Sequence, residues 1–291
     1  MRNIFKCSFI HKTMRTAEQI SKLFKDAGVY KIKTIKTYTP MVRLWQKHVG
    51  DPDTFSLDTV NDSISLLTRI YPQTTVKMAL YALKSYCLET NNELGNELTA
   101  ARFHVMDNVR DSREYVSKER LENILTDNVL KDVSDPLNLR NYLLLLTFAR
   151  TGAKLEEVRN IRFEDVHMND IETGPYICIN AKTPESRIVT LKKDIVIYHL
   201  AFNSWHNILR NNEINSEFVF TSMKRHERMH PRAIYTIIKE NYDVTPSHIR
   251  NTFFAELKEE NTDSRTIARI MGIDAWSAEQ NYNFIDPKEK K

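Results

Sequence analysis

Glycine is scarce in this sequence, with 6 residues among 291, and the scarcity excludes a large class of nucleotide-binding proteins. Loops that cradle phosphates need closely spaced glycines, and the pattern G-x-x-x-x-G-K-[ST] does not occur. Cysteine is also rare, because Cys7, Cys87 and Cys178 are odd in number, far apart and form no C-x-x-C. The sequence therefore offers neither a disulfide framework nor a thiolate zinc site.

Long apolar runs are missing as well. No run approaches the ~18 consecutive apolar residues of a membrane-spanning helix, and the first residues, MRNIFKCSFIHK, lack the apolar stretch of a secretion signal. We therefore expect a protein inside the cell, in the cytoplasm or nucleoid (or in the host cell if the source is viral), with no membrane partner. Hydrophobic residues at 41% and charged residues at 27% predict a packed core.

Acidic residues are nearly absent from the first fifty positions. The net charge of +4 is too small to indicate nucleic-acid binding by itself, but residues 1–50 hold eleven Lys and Arg against Glu18 and Asp26 alone. A block of one sign suits a phosphate backbone, although a solvated basic face is the alternative. The residues expected to contact double-stranded DNA are Lys31, Lys33, Lys36 and Arg43.

Hydrophobic periodicity predicts a first domain made of short helices. Apolar residues recur at helical spacing in four segments, 16–27, 33–49, 58–70 and 74–88, the first opening with Thr16 as a capping residue. The polar, weakly patterned stretch 91–117 is interpreted as an inter-domain linker. The predicted boundaries are 1–100 for the helical domain, 101–114 for the linker and 115–291 for the second domain.

The second domain mixes two periods. Helical patterns occupy 118–125 (with Ser117 as cap), 138–149, 200–209, 231–241, 247–259 and 265–272. Two β-type runs, 176–180 and 187–191, predict a hairpin, and 218–221 predicts a further short strand. The expected fold class is mainly α with a small antiparallel β-sheet (α+β).

Four segments of the second domain carry chemistry-bearing residues in a fixed order. They are LLLLTFARTGAKLEEVRNIRFEDV (143–166), INAKTPESRIVTL (179–191), TPSHIRNTFFAEL (245–257) and IARIMGIDAWSAEQNY (267–282). Together they resemble the catalytic domain of tyrosine recombinases of the phage-integrase family. That family has T-G-x-R followed by Glu, a hairpin lysine, a helix opening with H-x-x-R, and a tyrosine about ten residues after a glycine. The helices of 14–90 resemble the family's core-binding domain.

The resemblance implies a reaction and assigns roles. Tyr282 would attack a DNA phosphate to give a 3′-phosphotyrosyl link, which a 5′-hydroxyl later reverses, with no metal or other cofactor. Lys182 would protonate the leaving 5′-oxygen, and fixed cations would stabilise the transition-state charge. The catalytic set is Tyr282, Arg250, Lys182, Lys154 and His248, and the supporting set is Glu157, Ser247, Arg187 and Trp276. The expected partners are double-stranded DNA and, on it, a homotetramer.

Three positions depart from the family's pattern. Lys154 replaces the arginine of T-G-x-R and cannot bind a phosphate with the two-pronged planar group of arginine. Arg150, four residues earlier, could supply that group in its place. Ser247 holds the histidine position of H-x-x-R, with His248 one place later, and Ile273 holds the position that is usually His or Trp. An alternative is therefore a catalytically impaired, recombinase-like protein that only binds DNA.

A rival pattern lies at 226–230, where HERMH fits the H-E-x-x-H of zinc peptidases. That chemistry needs both histidines on one helical face, but MKRHERMHPR lacks apolar flanks and Pro231 follows at once. The zinc peptidase is kept as the lesser alternative. A type IB topoisomerase would share the tyrosine chemistry, but the core-binding-like helices of 14–90 favour a recombinase.

Overall fold

The structure, a computed structural model, describes residues 14–98, 115–129, 135–170, 172 and 174–284, without the side chains of 280–284. The chain divides into two compact units, 1–111 and 112–291. The expected fold class is confirmed, because the described residues are mainly helical with a small antiparallel sheet. None of the described helices combines the length and apolarity that a bilayer crossing needs.

The first unit is a bundle of short helices around an aromatic core. Its helices are α1 (Ala17–Asp26), α2 (Ile32–His48), α3 (Leu57–Ile70), α4 (Gln73–Glu89) and α5 (Leu94–Glu97), with a 3-10 helix at Pro52–Thr54. Trp45 is fully buried, and its indole nitrogen donates to the carbonyl of Ala79 at 2.9 Å. All four predicted helices are present, but the linker interpretation is wrong for 91–98, because α5 brings Leu94 and Leu98 into the core.

The basic residues predicted to bind DNA share the solvent face of one helix. Lys31 precedes α2, while Lys33, Lys36 and Arg43 lie in it, and all four are exposed. The opposite face of α2 buries Ile35, Val42 and Trp45 in the core of the unit. Their role in DNA binding remains a prediction.

The second unit is organised around one buried helix. Its helices are α6 (Lys118–Val129), α7 (Pro136–Thr151), α8 (Leu155–Val158), α9 (Ile195–Asn211), α10 (Pro231–Tyr242), α11 (Pro246–Glu259), α12 (Ser264–Met271) and α13 (Ala275–Phe284). Residues 142–151 of α7 are all buried, because α6, α9, α10 and α11 pack against it. Asp135 caps the start of α7 by accepting from the backbone N–H of Leu137. The site residues are arranged around its other end.

A three-stranded antiparallel sheet lies in the second unit in the order β1 (Val166–His167), β2 (Tyr176–Ile179), β3 (Arg187–Thr190). Ile179 pairs with Arg187, which confirms the predicted hairpin. The strand predicted at 218–221 is wrong. Those residues form only two isolated bridges, and Val219 and Phe220 are both fully buried, without the alternation that a strand on one sheet face shows.

Candidate active site

The turn from α7 to α8 positions the first site residues. Gly152 ends α7 in the left-handed conformation, with φ +57°, and a Cβ there would overlap the ring of Phe253 in α11. Lys154 then caps α8, and its backbone N–H donates to the Glu157 carboxylate at 2.7 Å. The glycine therefore permits both the reversal of the chain and the close approach of α11.

Glu157 and Arg187 form a buried two-pronged ion pair. The two Arg187 amino groups donate to the two Glu157 oxygens at 3.0 and 2.8 Å, and the side chains are only 4% and 8% exposed. Burial would raise the pKa of Glu157, but the hydrogen bonds from Arg187 and from the Lys154 N–H outweigh it and lower the pKa. The carboxylate is thus held ionised as a structural anchor, and it is not poised to exchange protons.

Arg187 also connects the hairpin to α12. Its Nε donates to the carbonyl of Ile270 at 2.8 Å. A Cβ on Gly272 would lie 2.6 Å from the Arg187 guanidinium, and Gly272 itself has φ +59°. Arg187 therefore ties α8, β3 and the end of α12 together, and glycine is required where the guanidinium passes.

Two further cationic side chains donate hydrogen bonds to the same turn at the end of α12. Arg250 donates from Nη2 to the carbonyl of Met271 at 2.8 Å and from Nη1 to the carbonyl of Gly152. Lys154 Nζ donates to the carbonyl of Gly272 at 3.1 Å. The last carbonyls of a helix carry partial negative charge, which accounts for the attraction of cations to the end of α12. The structure therefore brings Lys154, Arg187 and Arg250 together.

The first turn of α11 sets the positions of the altered residues. Thr245 caps the helix by accepting from the His248 N–H at 3.1 Å. Ser247 is exposed, while His248 and Arg250 are half-buried. The third altered residue, Ile273, packs against the apolar cluster that α11 and α12 form and offers no polar atom in its side chain.

The structure does not bring every predicted site residue to that turn. Lys182 lies in the loop between β2 and β3, where its amine contacts Glu164 at 2.7 Å and its side chain is 62% exposed. Trp276, in α13, is 64% exposed. The backbone of Tyr282 lies in α13, but its side chain falls outside the described residues.

Arg150 does not take the place of the missing family arginine. Its guanidinium binds both oxygens of Glu122, at 2.8 and 2.7 Å, and its Nε donates to Asp194 at 2.6 Å. Its side chain is 6% exposed. The suggestion that it substitutes for a phosphate-binding arginine is therefore wrong, because two carboxylates already occupy its donors.

The HERMH segment is not on a helix. His226 has a left-handed backbone, with φ +54°, and lies in a turn, while His230 caps α10 by accepting from the Arg232 N–H at 3.2 Å. Among the described residues, no group of three or more His, Cys, Asp and Glu could hold a metal ion. The helical geometry that a zinc peptidase needs is absent from this segment, so that alternative is wrong.

Sequence reasoning missed two side chains that contact predicted site residues. Glu164, in the 3-10 helix Phe163–Asp165, contacts Lys182, and Asn180 donates to Glu157 at 3.4 Å from a left-handed position, φ +56°. The left-handed preference of asparagine at the end of a strand was the one available signal for Asn180. Nothing in the sequence pattern indicated the partner of Lys182.

Comparison with known proteins places this architecture among known recombinases. The model of the phage integrase family matches residues 114–289. Tyrosine recombinase XerA of Pyrococcus furiosus is 22% identical over 297 residues, covering 96% of this chain and 93% of its own. XerA of Pyrococcus horikoshii is 23% identical over 243 residues, covering 79% and 77%.

Solved structures share the fold at low sequence identity. XerH site-specific recombinase bound to the palindromic difH substrate, in a post-cleavage complex, has a TM-score of 0.71 and 17% identity, covering 94% of this chain and 82% of its own. A lambda integrase tetramer bound to a Holliday junction has a TM-score of 0.65 and 13% identity, covering 94% and 77%. With a family match over more than half of its length, this chain belongs to the phage integrase family of tyrosine recombinases.

Proposed function

We propose that the protein is a site-specific recombinase that cuts and rejoins double-stranded DNA through a 3′-phosphotyrosyl link to Tyr282. The observation that carries the proposal is the convergence of Lys154, Arg187 and Arg250 on the end of α12. Tyr282 follows ten residues after Gly272, in α13. Phosphoryl transfer to a phenol requires cations that stabilise the charge on the phosphate, and Lys154 and Arg250 contact the turn that leads from α12 into α13.

A DNA phosphate would compete with the carbonyls of Met271 and Gly272 for the hydrogen bonds of Arg250 and Lys154. A phosphodiester carries a full negative charge and binds guanidinium and ammonium groups more strongly than a neutral carbonyl does. Arg250 would contribute a planar fork and Lys154 a single point charge. Each donor aimed at the transition state typically contributes ~10²–10³ in rate, so both matter to the proposed reaction.

Lys182 would protonate the leaving 5′-oxygen after exchanging its partner. Both members of its pair with Glu164 are exposed, and solvent screens such a pair so that it contributes little to stability. A DNA phosphate nearby would therefore outcompete Glu164 at little cost. His248, in the first turn of α11, would supply a further donor to the phosphate.

Proteins of similar fold suggest the partner and the assembly. The XerH structure holds a recombinase on a DNA substrate, and the lambda integrase structure is a tetramer on a Holliday junction. We extend both features to this chain, which would assemble as a homotetramer on duplex DNA, with Lys31, Lys33, Lys36 and Arg43 on the phosphate backbone.

A recombinase-like DNA-binding protein with impaired catalysis is the second candidate. The observation in its favour is that Ile273 packs against apolar residues and presents no donor, while Lys154 provides one point contact in place of a fork. Losing one charge-stabilising donor typically lowers the rate by ~10²–10³, which two such losses would compound.

The test is formation of a covalent protein–DNA adduct on nicked suicide duplexes that carry the target site, identified by selecting bound duplexes from a random pool. Wild type is expected to form the adduct, Tyr282→Phe none and Lys182→Ala little. Tyr235→Phe is the matched control, because Tyr235 is an exposed tyrosine of α10 and should leave the adduct unchanged. An adduct that persists in Tyr282→Phe would exclude Tyr282 as the nucleophile.

One more variant distinguishes the impaired DNA-binding protein from an active recombinase. Lys154→Arg restores the two-pronged donor, so in an impaired enzyme it should increase adduct formation at least ~10-fold. If wild type and Lys154→Arg both bind the selected duplex but neither forms an adduct, the protein binds DNA without cutting it.

A further inference from the structure

A groove in the second unit, outside the candidate active site, is lined by several positively charged side chains. It encloses about 1220 Å³ between the first half of α7, the end of α8, the 215–230 segment and one side of α10. Five arginines contribute to its lining: Arg140, Arg159, Arg225, Arg228 and Arg232. None of the residues of the proposed catalytic or supporting set lines it.

Arg140 is the member that calls for a ligand. It is 9% exposed, yet within the described part of the chain no carboxylate lies within salt-bridge distance of it. Its Nε and Nη2 both donate to the Asn141 amide oxygen, at 3.2 and 2.8 Å, while Nη1 donates to no described atom. A buried charge is normally paired, whereas this guanidinium is held by one amide. Its remaining nitrogen, Nη1, is not enclosed by the protein, so it can meet an anion in the groove.

The electrostatics of Arg140 point the same way. Burial lowers the pKa of Arg140, and the more distant charge of Asp135 opposes that shift without cancelling it. An anion seated in the groove would remove the disadvantage of burying the cation.

Two other arginines of the lining are held by neighbouring groups. Arg159 donates from Nε to the carbonyl of Met229 at 3.0 Å and from Nη1 to the carboxylate of Glu156 at 3.0 Å, which leaves Nη2 for a ligand. Arg228 lies over the Phe218 ring at 5.0 Å and contacts the Asn160 amide. The cationic side chains are thus positioned before any ligand arrives, which lowers the entropic cost of binding.

The two glutamates in the groove do not neutralise it. Glu217 is paired at 2.7 Å with Arg162, which does not itself line the groove. Arg159 is paired with Glu156, so the exposed Glu227 faces four arginines of the lining that have no salt bridge to a described carboxylate. The balance of charge therefore remains positive, and the forked donors of arginine suit the tetrahedral oxygens of phosphate.

We propose that this groove binds a phosphate group, with Arg140 as its buried anchor and Arg159 and Arg228 as its outer donors. The phosphate has two sources that the groove chemistry does not separate: a free phosphate or pyrophosphate ion, and a phosphodiester of DNA. Binding of the free ion is independent of the proposed recombinase activity, whereas binding of the DNA phosphodiester rests on it.

The first measurement is calorimetric titration of the full chain with inorganic pyrophosphate. Wild type should bind, and Arg140→Gln and Arg228→Ala should each weaken binding at least ~10-fold by removing a charge-assisted donor. Arg210→Ala is the matched control, because Arg210 is an exposed arginine of α9 that does not line the groove. Circular dichroism checks that Arg140→Gln folds; if it does not, the exposed variants Arg228→Ala and Arg232→Ala decide.

The second measurement follows binding of a sequence-independent duplex by fluorescence anisotropy between low and moderate salt. Loss of one phosphate contact lowers the slope of log affinity against log salt by about 1. A lower slope in both groove variants, without pyrophosphate binding by wild type, identifies DNA as the source, and pyrophosphate binding with an unchanged slope identifies a free phosphate.

An unchanged slope together with no pyrophosphate binding overturns the proposal. So does an effect of Arg228→Ala that a folded Arg140→Gln does not share, because the buried anchor would then play no part. Neither measurement uses strand cleavage, so failure here leaves the Tyr282 adduct test untouched, and the converse also holds.

Discussion

Helix α7 carries two buried arginines that differ in almost everything except burial. Arg140 and Arg150 are 9% and 7% exposed and lie about 15 Å apart along the helix axis. Arg150 is bound by the carboxylates of Glu122 and Asp194, whereas Arg140 is bound by the amide oxygen of Asn141. Burial acts alike on both, so any difference in behaviour must come from their partners.

The pKa values of the two arginines shift in opposite directions. Burial would lower the pKa of Arg150, but hydrogen bonds and charges from Glu122 and Asp194 raise it instead. Burial prevails at Arg140 and lowers the pKa. The difference indicates which end of α7 is electrostatically complete: the Arg150 cluster has its anions, and the groove at Arg140 does not.

The strongest way to break this comparison is to remove each arginine in turn. Arg150→Gln removes the cation that Glu122 and Asp194 share. Both carboxylates are partly exposed and Lys193 stays 3.7 Å from Glu122, so the free energy of unfolding should fall by about 3 kcal/mol, the lower end of the range for a broken buried pair. Arg140→Gln removes no ion pair and should change it by less than about 1 kcal/mol. Urea denaturation in phosphate-free buffer measures both. Equal losses for the two variants would mean that burial, and not the partner, determines their contributions.

A second prediction concerns a paired arginine inside the candidate site. Glu157→Gln leaves Arg187 buried beside a neutral amide and should lower the free energy of unfolding by about 2–3 kcal/mol at neutral pH. The folded pKa of Glu157 lies below its ordinary value of 4.5. Its stabilisation is therefore complete above that ordinary value and is lost as the pH falls through the lower, folded pKa.

The measurement is urea denaturation of wild type and Glu157→Gln across the acid range. The gap between the two proteins should shrink as the pH falls below about 4.5. Glu122, whose pKa is lowered chiefly by the hydrogen bond from Arg150, weakens both proteins in acid alike and drops out of the difference. A gap that stays constant with pH would show that the carboxylate charge contributes nothing.

Local sequence patterns were sufficient to predict most of the helices and the hairpin. Local patterns predict α7, from its apolar run ended by Gly152, and the hairpin, from the two β-type runs on either side of Lys182. Short elements gave no such signal. Helix α8 is a single turn, and β1 is two residues long, so neither is long enough to show a period.

The candidate site was predictable in its residues but not in its contacts. Motif order singled out Lys154, Arg187 and Arg250, and the structure gathers them at one turn. Their acceptors there are backbone carbonyls, which every residue possesses and no sequence pattern marks. The bond from Arg187 to Ile270 spans 83 residues, so only the folded chain reveals it.

The same limit explains the error at Arg150. The expectation rested on Arg150 lying four residues before Lys154, but α7 ends at Thr151 and Lys154 lies beyond the turn, at the cap of α8. Sequence position also does not indicate which groups face a side chain from other elements. Glu122 comes from α6, 28 residues away, and Asp194 precedes α9, 44 residues away. Without their positions, an arginine near a motif resembles a free donor.

The smallest predicted effect isolates the space around the paired Arg187. Gly272→Ala and Gly174→Ala both place a side chain at positive φ, +59° and +71°, which costs about 1–2 kcal/mol by itself. Only at Gly272 would the new methyl meet a neighbour, the Arg187 guanidinium at 2.6 Å, while nothing lies within 4 Å at Gly174. Gly272→Ala should therefore lower the free energy of unfolding by about 1 kcal/mol more than Gly174→Ala.

The two alanine variants should also differ in how their stability depends on pH. The added methyl pushes Arg187 away from Glu157, so Gly272→Ala should also lose part of the acid sensitivity that Glu157 confers, whereas Gly174→Ala should keep all of it. Thermal unfolding at neutral and acid pH compares them. If the two alanine variants match in stability and in pH dependence, the guanidinium moves freely at no cost, and Arg187 is not the fixed link between the hairpin and the end of α12.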